Sequence, residues 1–191
     1  MNVLLLSMPD SFEHMPPVGI RMPNGALTSL AGNVDPHHRV AVADLILVQR
    51  QVRETVTRLV RELDPEVVGL SIMTFQRRTA ARLIELVRVL RPGVKIVVGG
   101  YDPSLAPEAY GEMDVDYLVR SEGEVTFREL LRAIEQGPAS TVSAAFPIAR
   151  AEAGCKILIA RHTGSRTARS GHRTGMRAFS RDIQCLGDKW M

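Results

Sequence analysis

Three short clusters of hydroxyl-bearing, small and acidic residues are the chemically suggestive parts of this 191-residue chain. Ser71, Met73 and Thr74 offer two hydroxyls and a soft thioether. Gly99, Gly100 and Tyr101 pair glycines, which either let a ligand approach the backbone or make a tight turn, with an aromatic ring. Ser121, Glu122 and Gly123 stand just before a helix-like segment. There Ser121 and Glu124 also have the spacing of a helix N-cap and its capping-box partner. Such groups bind a polar ligand rather than activate a nucleophile, and the sequence points to no catalytic residue. No Gly-x-Gly-x-x-Gly or Gly-x-x-x-x-Gly-Lys-Ser/Thr occurs, which argues against a dinucleotide or P-loop site. The loop Met8–Ile20 holds one histidine, His14, as a candidate metal or polar contact. His37-His38, in the run Asp35-Pro36-His37-His38-Arg39, reads as a surface turn, and Asp114 and Asp116 read as solvated.

The elements that must position these clusters are legible from hydrophobic patterning. Val3–Ser7, Val40–Val42 with Asp44, Val67–Ile72, Val94–Val98 and Val115–Val119 are short apolar runs without polar alternation, as in a parallel sheet covered on both faces. Between them, Val52, Val56, Leu59, Val60 and Leu63 recur at helical spacing, and Asp64-Pro65 ends that helix. Ala80, Leu83, Ile84, Val87 and Leu90 make a second stripe, closed by Pro92-Gly93. Phe127, Leu130, Leu131 and Ile134 make a last one, closed at Gly137. Strand–helix alternation predicts an α/β doubly wound, five-stranded parallel sheet of flavodoxin-like or Rossmann-like type, order 2-1-3-4-5. Ligands of such sheets bind outside the carboxyl ends of the strands, where the three clusters fall.

Charge divides the chain at the same boundary as periodicity. Residues 138–191 hold nine Lys and Arg against Glu152, Asp182 and Asp188, whereas residues 1–137 carry a small net negative charge. The tail lacks a compact basic block and interleaved aromatics, which argues against specific nucleic-acid binding. It is expected to be an irregular, largely disordered tail. Cys155 and Cys185 make neither a disulfide framework nor a tetrahedral metal site. No apolar run approaches the ~18 residues of a membrane helix. With no secretory signal pattern either, a soluble, cytoplasmic protein is the expectation.

In order along the chain, these segments resemble one family: the cobalamin-binding domain that precedes the catalytic barrel of cobalamin-dependent radical S-adenosylmethionine proteins. The resemblance is carried by Pro16-Pro17-Val18-Gly19-Ile20, by Asp64–Thr74 (DPEVVGLSIMT), by Pro92–Gly100 (PGVKIVVGG), by Pro107-Glu108 and by Asp116–Glu124 (DYLVRSEGE). It covers residues 1–137. It implies a corrinoid over the carboxyl ends of the strands, its nucleotide tail reaching into the crevice. Ser71, Met73, Thr74, Gly99, Gly100, Tyr101, Ser121, Glu122 and Gly123 would then line the cofactor site. The Asp-x-His-x-x-Gly motif that supplies a lower cobalt ligand in related domains is absent, leaving His14 as the candidate for cobalt.

The family's iron–sulfur motif, Cys-x-x-x-Cys-x-x-Cys, is also absent, so no iron–sulfur cluster is expected on this chain. The resemblance implies a cobalamin module truncated before its barrel, not catalytic alone, whose partner would be a separate catalytic protein. The tail from residue 138 would then be out-of-frame translation of a former barrel. The competing reading is a flavodoxin-like interaction or regulatory domain without cofactor.

Overall fold

The computed structural model describes residues 1–9, 24–137, 148–150 and 156–159. Five parallel strands form the centre of the sheet: β1 (Asn2–Ser7), β2 (Arg39–Asp44), β3 (Val67–Ser71), β4 (Lys95–Gly99) and β5 (Tyr117–Arg120). Their order is β2-β1-β3-β4-β5, as the sequence predicts. The fifth strand begins two residues later than its apolar run. Asp116 is held instead by Ile96, whose carbonyl accepts the Asp116 backbone N–H and whose own N–H donates to the Asp116 carboxylate.

Two differences from the expected fold stand out. The sheet continues past β5: β7 (Lys156–Ile159) pairs parallel with β5, and β6 (Ile148–Arg150) pairs antiparallel with β7. These segments fall in the region expected to be irregular; β5 would otherwise leave an open row of backbone donors and acceptors, which this pairing satisfies. The rest of that expectation, like His14, lies outside the described residues. The second difference is an additional helix between β1 and β2, α1 (Gly25–Asn33), whose N-cap Asn24 accepts the Leu27 N–H. It presents only a narrow apolar stripe, so periodicity did not mark it.

The remaining helices are α2 (Val52–Leu63), α3 (Arg77–Leu90), the short α4 (Tyr101–Leu105) and α5 (Gly123–Glu135). Helices α2 and α3 match their predicted spans, and Asp64 terminates α2 in a left-handed conformation. Buried residues fall into two clusters, one on each face of the sheet. Leu4, Leu6, Val68, Leu70, Ile72, Ile96 and Val98 pack against Val56, Leu59 and Val60 of α2 and Leu83, Ile84 and Val87 of α3. On the opposite face Val3, Leu5, Val67, Val97, Tyr117 and Val119 meet Leu27 and Ala31 of α1 and Phe127, Leu130 and Leu131 of α5. Alternation along each strand therefore assigns odd-numbered positions of β1, β3, β4 and β5 to the α1/α5 face. Along that face small residues take over toward the carboxyl ends: Gly69 and Ser71 follow Val67 on β3, and Gly99 follows Val97 on β4.

Candidate functional site

That taper leaves a cavity of about 420 Å³ between the sheet and helices α1 and α5, within the range of ~300–1,000 Å³ usual for small-molecule sites. Its floor is apolar, made by Leu5, Val97, Val119 and Phe127, and Ala26, Leu27 and Leu30 of α1 form one wall. Its mouth is polar: Ser71, Ser121, Glu122, Gly123 and Glu124. Two glycines border the floor. Gly69 makes room for Leu5, whose Cδ2 a Cβ there would meet at 2.7 Å, while a Cβ on Gly99 would meet only ordinary contacts with Val119 and so project as added bulk.

Six of the nine predicted site residues line this cavity: Ser71, Gly99, Gly100, Ser121, Glu122 and Gly123. Gly100 has a further reason to be glycine. Its φ is +103°, and a Cβ there would lie 2.8 Å from both the backbone N and O of Ile72. Of the two readings for paired glycines, tight backbone packing fits Gly100, while Gly99 borders the cavity.

The other three predicted residues stand on the rim instead. Met73 and Tyr101 are exposed there, together with Phe75 and Leu105. Thr74, also exposed, turns its hydroxyl to the buried Asp102 carboxylate. Asp102 anchors the rim from beneath: Arg77 donates to it through Nε and Nη2 at 2.8 and 2.6 Å, and the Tyr110 hydroxyl donates at 2.6 Å. The Arg77 guanidinium holds the Asp102 carboxyl below the usual carboxylate range, against the opposing effect of burial. Burial and the neighbouring carboxylate push the Tyr110 hydroxyl far up. This cluster fastens the loop after β3 to the loop after β4, so the rim residues are carried on a braced support.

Ser121 is not the helix N-cap. It takes a left-handed φ of 63°, and its N–H donates to Ser104 Oγ. Glu122 holds the cap position without a side-chain bond to the helix, which leaves its carboxylate at the mouth. Glu124 is not a capping-box partner either; it accepts from Ser29 Oγ at 3.0 Å and ties α5 to α1 across the cavity.

Sequence reasoning missed the apolar floor and the whole α1 wall. A glycine inside the apolar run Val67–Leu70 was the available signal for the floor, since strand glycines often mark close approach of a ligand. The described lining holds no histidine or cysteine.

Two expectations outside the cavity also change. His37 is exposed as read, but His38 is buried, with Nδ1 3.2 Å from the Met1 amine. Asp116 is not solvated: besides the Ile96 N–H it accepts from Arg88 and Lys95. Burial raises its carboxyl, but those three partners outweigh it and hold it below the ordinary range. No described helix is long and apolar enough to cross a membrane.

Comparison with known proteins places this arrangement. The B12 binding domain family matches residues 11–131. The uncharacterized methyltransferase PH0819 of Pyrococcus horikoshii is 29% identical over 139 residues, 72% of this chain and 30% of that protein. The anaerobic magnesium-protoporphyrin IX monomethyl ester cyclase of Rubrivivax gelatinosus is 31% identical over 93 residues, 48% of this chain and 16% of that one. The chain thus spans less than a third of the length of these relatives. Among solved structures, the radical S-adenosylmethionine methyltransferase TsrM of Kitasatospora setae, bound to cobalamin and a 4Fe-4S cluster, shares the fold. Its TM-score is 0.62 at 22% identity, over 73% of this chain and 27% of TsrM. The same enzyme with its tryptophan substrate and an analogue of S-adenosylmethionine bound gives 0.61.

Proposed function

The chain belongs to the B12 binding domain family, and on that premise we propose that it is a corrinoid-holding module whose α1/α5-side cavity takes the nucleotide tail of cobalamin. The observation that carries this reading is the taper of one sheet face into an apolar cavity with a polar mouth at the carboxyl ends of β3, β4 and β5. The residues present fit such a group. An apolar floor suits the flat aromatic base of the tail. The hydroxyls of Ser71 and Ser121 suit its polar linkage, and the Glu122 carboxylate can accept from amide N–H groups on the corrin periphery. Met73 and Tyr101 are exposed on the rim and would offer a soft thioether and an aromatic ring to a large flat ligand.

Bound cobalamin would supply a cobalt centre able to carry a methyl group or assist a radical rearrangement. The part of this chain would be to seat the cofactor and shield its tail from water. On this reading the chemistry would fall to a catalytic protein or domain of the radical S-adenosylmethionine class.

Incubation with hydroxocobalamin followed by gel filtration tests the reading, with Ala26→Trp as the control. Ala26 is exposed yet lines the cavity, so an indole there fills the mouth without disturbing the core. Corrin absorbance should co-elute with wild type and be lost with Ala26→Trp. Absence of corrin from both would favour the cofactor-free interaction domain.

A further inference from the structure

At the amino-terminal edge of the sheet, opposite the cavity, a second group of side chains converges. His37 and His38 precede β2, and Glu135 ends α5. One ring nitrogen of each histidine and a carboxylate oxygen of Glu135 all lie within 4.8 Å of one another. His37 Nε2 is 3.1 Å from Glu135 Oε2, and the two imidazole centroids are 4.0 Å apart. His38 is buried, and its Nε2 has no hydrogen-bond partner among the described residues. A buried imidazole nitrogen left unused by the fold calls for an explanation, and an ion is one of the recognised ones.

The support beneath the cluster is rigid. Arg132, one helical turn before Glu135, donates through Nε and Nη2 to Asp35 at 2.6 and 2.8 Å. That forked pair clamps the turn carrying His37 and His38 to the last turn of α5. The pair bonds none of the three side chains itself and acts by fixing the backbone that carries them.

We propose that His37, His38 and Glu135 form a site for a first-row divalent metal ion, structurally separate from the corrinoid cavity. Two imidazoles and one carboxylate suit zinc, nickel or ferrous iron, with water completing the shell. Ligand atoms about 2.1 Å from a tetrahedral zinc stand about 3.4 Å apart, so small side-chain rotations close the group. The ion would join the start of β2 to the end of α5, two elements distant in sequence.

Zinc is the probe. Equilibrium dialysis of the whole chain against Zn²⁺ at neutral pH, with bound metal measured by mass spectrometry, compares wild type with His37→Gln and Glu135→Gln. Both positions are exposed, and circular dichroism checks that the variants remain folded. His14, His162, His172, Cys155 and Cys185 also offer ligand atoms, so the reading is the difference between proteins. Wild type should hold one more equivalent than either variant. Asp35→Asn, which loosens the clamp between the histidine turn and α5, should weaken that equivalent. Equal zinc content in wild type and both variants, or none in any, overturns the proposal. Corrin retention should be unchanged in all of them.

Discussion

The two faces of this sheet are built from the same strands and yet do opposite things. On the α2/α3 face the even-numbered positions stay large to the carboxyl ends of β3 and β4, as Val68, Leu70 and Ile72 or Ile96 and Val98, and all are buried. On the α1/α5 face the odd-numbered positions shrink to Gly69, Ser71 and Gly99, and α1 brings Ala26 rather than a bulky residue to the opening. Packing the first face supplies stability; leaving the second unpacked at one end opens the cavity. One period-two pattern encodes both, because a change in side-chain volume on one face of a strand leaves the other untouched.

Mutations should separate the faces by size of effect. Leu70→Ala, on the filled face, should cost about 3 kcal/mol in urea unfolding, the usual consequence of a cavity opened in a close-packed core. Asp102→Asn breaks the buried pair with Arg77 and should cost nearly as much, about 3 kcal/mol at neutral pH. Its pH dependence follows from sign. Asp102 and Asp116 both have carboxyls depressed in the folded state. Their stabilisation is complete above the unfolded value of about 4 and is lost as pH falls through the lower folded values. Wild type should therefore lose stability steeply below about pH 4, and Asp102→Asn less steeply, in urea titrations across that range.

The hollow face should respond less. Leu30→Ala removes a half-buried side chain that already borders open space, and about 1 kcal/mol or less is expected. Ala26→Trp should leave the unfolding free energy within about 0.5 kcal/mol of wild type, while abolishing corrin retention. A large stability loss from Leu30→Ala would mean that this face is packed as tightly as the other.

Much of the filled face was legible because burial on both sides of a parallel sheet leaves unbroken apolar runs, and because α2 and α3 carry wide stripes. The hollow face was harder for the same physical reason that makes it hollow. Helix α1 buries only Leu27 and Ala31, too few positions to show a period. Polar and glycine residues at strand ends, Ser71, Gly99 and Ser121, marked the mouth; the floor of Leu5, Val97, Val119 and Phe127 reads as ordinary core until the tertiary arrangement shows that nothing fills the space above it. Asp102 carries no signal in the sequence, and only burial beside Arg77 and Tyr110 reveals it as the brace of the rim.

The central claim is that the cavity on the α1/α5 face receives the nucleotide tail, and comparing cobalamin with cobinamide, which keeps the corrin ring but lacks that tail, tests it most directly. Titrating the whole chain with each corrinoid and following corrin absorbance gives the two dissociation constants. The account predicts that cobalamin binds more tightly by well over roughly tenfold, a difference of more than about 1.4 kcal/mol, and that Ala26→Trp erases this preference. Equal affinity for the two corrinoids in wild type would contradict it.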